Sequence, residues 1–200
     1  LKKHNWKVQK DAGLDYVTTG DFSLYDRMLD ITCMLGAVPP RFTPCLDDSP
    51  LNLYFSLARG DVKHNIAALE MTKWFDTNYH YIVPEFVKDQ TFKLTSEKFF
   101  NEYNEAKAIG IETKPVLIGP ISYLLLGKEK EEGFNRIDLI DKLVTVYEEI
   151  LSKLAEAGAQ YIQIDEPFLA LDIDAATRAL YAPVFQKLAA AAQNSKLIVA

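Results

Sequence analysis

Lys114-Pro-Val-Leu-Ile-Gly-Pro120 and Gln160-Tyr-Ile-Gln-Ile-Asp-Glu-Pro167 flank the clearest amphipathic helix in the chain. Each is a short apolar run that breaks off into glycine, proline or carboxylates. Between them Leu143, Val146, Tyr147, Ile150, Leu151 and Leu154 recur at helical spacing, and Gly158 ends the pattern. Glu149 and Lys153 sit one turn apart on its polar face, in the favourable order. A strand, a helix and a second strand of this kind make a parallel βα unit, whose strands are buried on both faces and so read as apolar throughout.

Working outward, the same alternation continues. Towards the carboxyl end a helix follows Asp174, with Pro183 expected to kink or interrupt it, and a strand begins near Lys196. Towards the amino end, Thr95 is expected to cap a helix carrying Phe99, Tyr103, Ala106 and Ile109, stopped by Gly110. Residues 79–86 are aromatic and β-branched and read as a strand ending at Pro84, with Phe92-Lys93-Leu94 as a short extra strand. Residues 37–50 hold four prolines and read as loop, and Leu51–Ala58 as a short helix. Residues 4–12 read as a helix, Leu14–Thr18 as a strand, and Leu24 to Leu35 as a helix ending at Gly36. About five strands result. The fold class is α/β, either a partial (β/α)8 TIM-type barrel with about five of its eight parallel strands or an open doubly wound sheet. The lack of a GxGxxG loop favours the barrel. No linker or composition shift divides residues 1–200, so they read as one piece of a single domain. Leu1 lies inside a helix pattern and Lys196–Ala200 reads as a strand cut in mid-course, so the chain is expected to be a fragment of a longer one.

Composition narrows the class. The 200 residues are 48% hydrophobic, enough for a sizeable core and against disorder. Lysine and arginine number 22 against 28 acids, a net charge of −6 that argues against duplex nucleic acid as the partner. No apolar run reaches the roughly 18–20 residues of a membrane span, and the polar opening LKKHNWKVQK is no signal peptide. Cys33 and Cys45 form no CxxC, and fit structural thiols in a reducing cytoplasm.

In a barrel the chemistry lies at the carboxyl ends of the strands. Those ends supply Asp21, then His80 and Glu85, then Gly119-Pro120 and Asp165-Glu166, so Asp21, Gly119 and Asp165 are expected on one rim. Adjacent strand residues point to opposite faces, so Asp165 and Glu166 cannot work as an acid and base pair across one bond. Glu166 reads as an ion-pair or helix-capping residue ahead of a ligand-binding one. His4, His64 and His80 show no HxH or HExxH spacing, and no metal-ligand set is recognisable. His80, between two tyrosines, reads as a core or loop histidine. The densest stretch, Glu70-Met-Thr-Lys-Trp-Phe-Asp-Thr-Asn-Tyr-His-Tyr81, places Lys73 among aromatics. Such a lysine can hold an anion beside a flat ligand, or simply face solvent over a structural cluster.

That stretch, continued to Phe86, resembles the amino-terminal barrel of the cobalamin-independent methionine synthase family. So do Gly20-Asp-Phe-Ser-Leu-Tyr-Asp26, Ala58-Arg-Gly60, Lys114–Pro120 and Gln163-Ile-Asp-Glu-Pro167, in register from about Asn5 to the last residue. The resemblance implies two face-to-face barrels in the full-length enzyme and a methyl transfer from 5-methyltetrahydrofolate polyglutamate to homocysteine, giving methionine. It implies no cobalamin. It also implies a zinc ion that binds homocysteine as thiolate, with ligands in a carboxyl-terminal catalytic barrel and none here. The amino-terminal barrel would serve as scaffold and help hold folate, with Lys73 as a folate contact and Asp21, His80, Asp165 and Glu166 as further rim candidates. After Pro167 the chain continues Phe168-Leu-Ala-Leu171, apolar where the catalytic barrel carries polar residues. The fragment alone is expected to be inactive. The alternative is a free-standing barrel that binds a pterin or another small molecule without methyl transfer. An arginine cluster, the mark of a decarboxylase or corrinoid-linked relative, is not present.

Overall fold

The computed structural model describes residues 1–200. In chain order the elements are α1 (Lys2–Asp11), β1 (Val17–Thr19), α2 (Arg27–Met34), a 3-10 turn (Pro40–Cys45), α3 (Pro50–Arg59), β2 (Met71–Lys73), β3 (His80–Ile82) and β4 (Glu85–Phe86). Then come α4 (Lys98–Lys107), β5 (Thr113–Ile118), α5 (Pro120–Leu125), β6 (Lys128–Glu129), α6 (Ile140–Glu156), β7 (Tyr161–Asp165), α7 (Ala175–Ala191) and β8 (Lys196–Val199).

The fold is α/β. Its main sheet has four strands in the order β1-β5-β7-β8, all parallel. Because the strands run the same way, the segments following β1, β5 and β7 leave the sheet at one end. Asp21, Gly119 and Asp165 therefore share that end, as expected. The sheet core is apolar: Val116, Leu117, Ile118, Ile162 and Ile164 are at most 4% exposed. Helix α6 covers it with the expected stripe, Leu143 to Leu154, all buried. Glu149 and Lys153 pair at 3.3 Å on its outer face.

Several local readings are corrected. Residues 79–86 are not one strand. β3 pairs antiparallel with β2, whereas β4, beyond Pro84, pairs parallel with β6. Proline lacks the N–H a continuous ladder needs, so the chain changes partner there. Phe92–Leu94 is not a strand, because Lys93 N–H bonds the Leu35 carbonyl at a helix end instead of joining a sheet. Thr95 does not cap α4. Its hydroxyl donates to the Cys33 carbonyl at 2.5 Å, and the helix starts at Lys98. Pro183 does not interrupt α7, which runs unbroken from Ala175 to Ala191.

Gly20, directly after β1, sits at φ +85, and a Cβ there would meet the Val116 carbonyl oxygen at 2.8 Å and the Phe99 ring at 2.7 Å. Its N–H donates to buried Glu102 at 3.1 Å. Gly20→Ala combines a disfavoured φ with a backbone clash. It is expected to lower stability by about 2 kcal/mol, read as a lower urea midpoint at unchanged slope. A loss under a few tenths would show that the turn relaxes freely.

Candidate functional site

A cleft of about 570 Å³ opens where β5 and β7 end, lined by Asp26, Arg27, Trp74, Tyr79, Gln163 and Asp165 among others. Its floor comes from the sheet. Residues Gln163 and Asp165 of β7 share a strand face, two apart, and the Gln163 amide donates to Asp165 Oδ1 at 2.6 Å. Lys114 in turn bonds Gln163 Oε1.

One wall is the start of α2. Asp26 is its N-cap, accepting from Leu29 N–H at 2.9 Å. The same buried carboxylate accepts from Ile82 N–H at 3.1 Å and from the Tyr79 hydroxyl at 2.6 Å. It thereby ties the helix to the hairpin of β2 and β3. Burial pushes the Asp26 carboxyl up, against the pull of those donors, and pushes the Tyr79 hydroxyl up to about 12. Next to Asp26, Arg27 reaches across the cleft and lies 2.9 Å from Asp165. Its buried Nε and Nη2 nevertheless make no hydrogen bond of good geometry.

The other wall is aromatic. Trp74 meets Phe75, Tyr79 and Tyr81 edge-on, with ring centroids 5.3, 6.4 and 5.6 Å away. Phe75 meets Phe168 at 5.4 Å. Phe75 holds φ at +50 in the loop between β2 and β3. A bulky residue in that region stores strain, which packing around the hairpin must offset.

Of the residues singled out in the sequence, Asp165 lines the cleft and Glu166 does not. Glu166, 1% exposed, turns to the start of α5 and accepts from Ile121 N–H at 3.1 Å and Ser122 N–H at 2.7 Å. It is a helix-capping residue, and burial pushes its carboxyl up to about 7. Gly119 makes this possible, since a Cβ there would stand 2.2 Å from Glu166 Oε1. Lys73 and His80 face each other across the β2–β3 ladder. Both are exposed, so His80 is not a core residue, and neither lines the cleft. Lys73 does immediately precede Trp74. Asp21 is exposed and accepts from the Thr18 hydroxyl at 2.6 Å. Arg27 and Tyr79 were not singled out by the sequence. Asp26 falls inside the helix expected from Leu24, whereas α2 starts only at Arg27 and Asp26 is its N-cap.

The whole chain, residues 1–200, matches the family model described as the cobalamin-independent synthase, N-terminal domain. Among curated relatives, a protein from Flavobacterium johnsoniae is 54% identical over 203 residues, covering 100% of this chain and 26% of the relative. One from Cytophaga hutchinsonii is 52% identical, covering 100% and 27%. One from Parvibaculum lavamentivorans is 48% identical, covering 100% and 26%. All three bear the name 5-methyltetrahydropteroyltriglutamate–homocysteine methyltransferase. The chain thus spans about a quarter of the length of these relatives. No helix is long and apolar enough to cross a membrane.

Proposed function

The chain belongs to the family of the cobalamin-independent synthase N-terminal domain, and from that premise we propose that it is part of a methyltransferase that makes methionine. The methyl group would pass from 5-methyltetrahydrofolate polyglutamate to homocysteine without cobalamin. In this reading residues 1–200 are a piece of one amino-terminal domain, a partial (β/α)8 barrel, which works against a carboxyl-terminal catalytic barrel of the same chain. The two free thiols fit a reducing cytoplasm.

The observation that carries the reading is the cleft itself. It sits at the carboxyl ends of parallel strands, where ligands of such sheets bind. One wall offers aromatic faces for a flat ring, and the other offers Arg27 for a carboxylate. Tyr79 supplies a polar group at the rim, and buried Asp26 holds it and the hairpin in place. Lys73, on the strand leading into Trp74, is the residue proposed to meet the folate's glutamate tail.

Zinc, when bound in such an enzyme, lowers the pKa of the homocysteine thiol. The cleft's residues do not fit it. They include no cysteine or histidine, and the carboxylates of Asp26 and Asp165 are engaged by Tyr79, backbone N–H groups, Gln163 and Arg27. This part of the enzyme is therefore assigned substrate holding and no transfer step, and the 200-residue chain alone is expected to be inactive.

In the complete enzyme, Lys73→Ala is expected to raise KM for the triglutamate folate about 5- to 10-fold. The monoglutamate should suffer less and homocysteine hardly at all. Added salt should shrink the effect, because an exposed charge pair is screened. Equal losses for both substrates would mark Lys73 as a structural residue of the hairpin and remove it from folate binding.

A further inference from the structure

Three groups able to ligate a zinc-class metal converge from the segments before and after α3, sharing no residue with the cleft. Cys45 closes the 3-10 turn Pro40–Cys45, is fully buried, and packs with Phe42, Tyr54 and Leu57. Asp61 and His64 belong to a tight turn closed by a backbone bridge between Asp61 and Ile66, with N···O distances of 2.8 Å both ways. Asp61 divides its labour. Its Oδ1 accepts from His64 N–H at 3.1 Å and holds the turn. Its Oδ2 lies 3.2 Å from Cys45 Sγ and 2.9 Å from His64 Nδ1. All three donor atoms lie within 4.8 Å of one another.

We propose that Cys45, Asp61 and His64 form a divalent metal site of the zinc and cobalt class. A tetrahedral zinc holds its ligands about 2.0–2.3 Å away, so sulfur, nitrogen and oxygen donors stand roughly 3.3–3.6 Å apart. The sulfur–oxygen and nitrogen–oxygen distances here are already close to that. One cation can replace the two protons that now bridge Asp61 Oδ2 to its neighbours. The Cys45 thiol loses its proton to solvent on binding. His64 coordinates through Nδ1 and carries its proton on Nε2, so one proton is released per metal. A thiolate with an imidazole selects zinc over magnesium or calcium, which take oxygen ligands.

The frame is pre-built. Gly60, at φ +81, lets the chain turn directly into Asp61, and a Cβ there would stand 2.7 Å from the Ile66 carbonyl oxygen. A shallow cleft of about 350 Å³ lined by Asn52, Ser56 and Arg59 reaches Asp61 from solvent. The ion would clip the turn after α3 to the turn before it, a fastening independent of the folate reading.

The test is a titration of the chelator-treated chain with cobalt(II) in a non-thiol reductant. One cobalt per chain, a thiolate-to-cobalt charge-transfer band, its displacement by zinc and a zinc-dependent rise in Tm are expected. Cys45→Ser should abolish the band and weaken binding by at least about 100-fold, since even outer-shell partners are worth 10–100-fold. His64→Ala, on a partly exposed turn, should keep the band and weaken binding at least about 10-fold. It decides the matter if Cys45→Ser does not fold. Cys33→Ser should change nothing. No band with the wild-type chain, a band that survives Cys45→Ser, or an affinity untouched by His64→Ala would each overturn the site and reduce the three residues to a hydrogen-bond network.

Discussion

Glu166→Ala is expected to destabilise the protein by about 4 kcal/mol at pH 5. The substitution strips the two N–H groups at the start of α5 of their acceptor, each buried and unpaired at about 1–3 kcal/mol, and leaves a small cavity. The cost should fall towards pH 8, and the sign follows from linkage. Burial holds the folded-state pKa at about 7, above the ordinary value of 4.5. The folded protein therefore binds more protons than the unfolded chain between these values. The carboxyl's contribution is fully present below pH 4.5 and is lost as the pH rises through about 7. At 1.36 kcal/mol per pKa unit, that is about 3 kcal/mol across the window. Glu166→Gln keeps the volume and one acceptor but cannot ionise, so its stability should lack this slope. Urea unfolding at pH 5, 6, 7 and 8 reads both variants. Parallel pH curves for the wild type and Glu166→Gln would show that Glu166 does not titrate in that range.

Asp26→Ala should cost a similar amount, about 4 kcal/mol, for a different reason. One carboxylate ends a helix and anchors a hairpin 56 residues away in sequence. Losing the cap alone is worth about 1 kcal/mol. The buried Ile82 N–H then loses its acceptor at about 1–3 kcal/mol, and the half-exposed Tyr79 hydroxyl loses a hydrogen bond worth about 1 kcal/mol. Asp26→Asn keeps one acceptor oxygen and should lose roughly half as much. Because the hairpin carries Trp74, the near-ultraviolet circular dichroism of the folded Asp26→Ala protein should change too. A loss limited to about 1 kcal/mol with an unchanged aromatic signal would reduce Asp26 to a cap and detach it from the cleft wall.

The central βα units were legible because their signals are local. The stripe from Leu143 to Leu154 and the apolar runs of β5 and β7 are dictated by burial on fixed periods. The opposite fates of Asp165 and Glu166 also follow locally, from strand alternation. What the sequence hid was partnership at a distance. Nothing near Tyr79 says that its hydroxyl meets Asp26. Nothing near Thr95 says that it serves the end of α2 and not the start of α4. Residues 79–86 read as one strand because aromatic and β-branched composition suits a strand without naming its neighbour, yet Pro84 divides two different ladders. Cys45, Asp61 and His64 stayed hidden for the same reason. A helix of ten residues, α3, lies between the cysteine and the turn that answers it.

The short first strand of the main sheet has a consequence for the order of assembly. β1 has three residues, and it pairs only with β5, setting Val17 opposite Thr113, 96 positions on. Closing a loop of that length costs about 4 kcal/mol beyond a fixed constant. Three residues of ladder cannot offset this before the intervening chain is compact. The docking of β1 must therefore wait for α2, the hairpin and α4 to shorten the effective separation. It then gains Val17 against Trp6, Ala106 and Ile111, a small cluster of its own. In kinetic terms β1 and α1 form a late-arriving edge, formed after the buried β5–α6–β7 unit and first to open again. Amide protons of β1 should accordingly exchange through partial opening, while those of β5 and β7 wait for the whole domain to unfold.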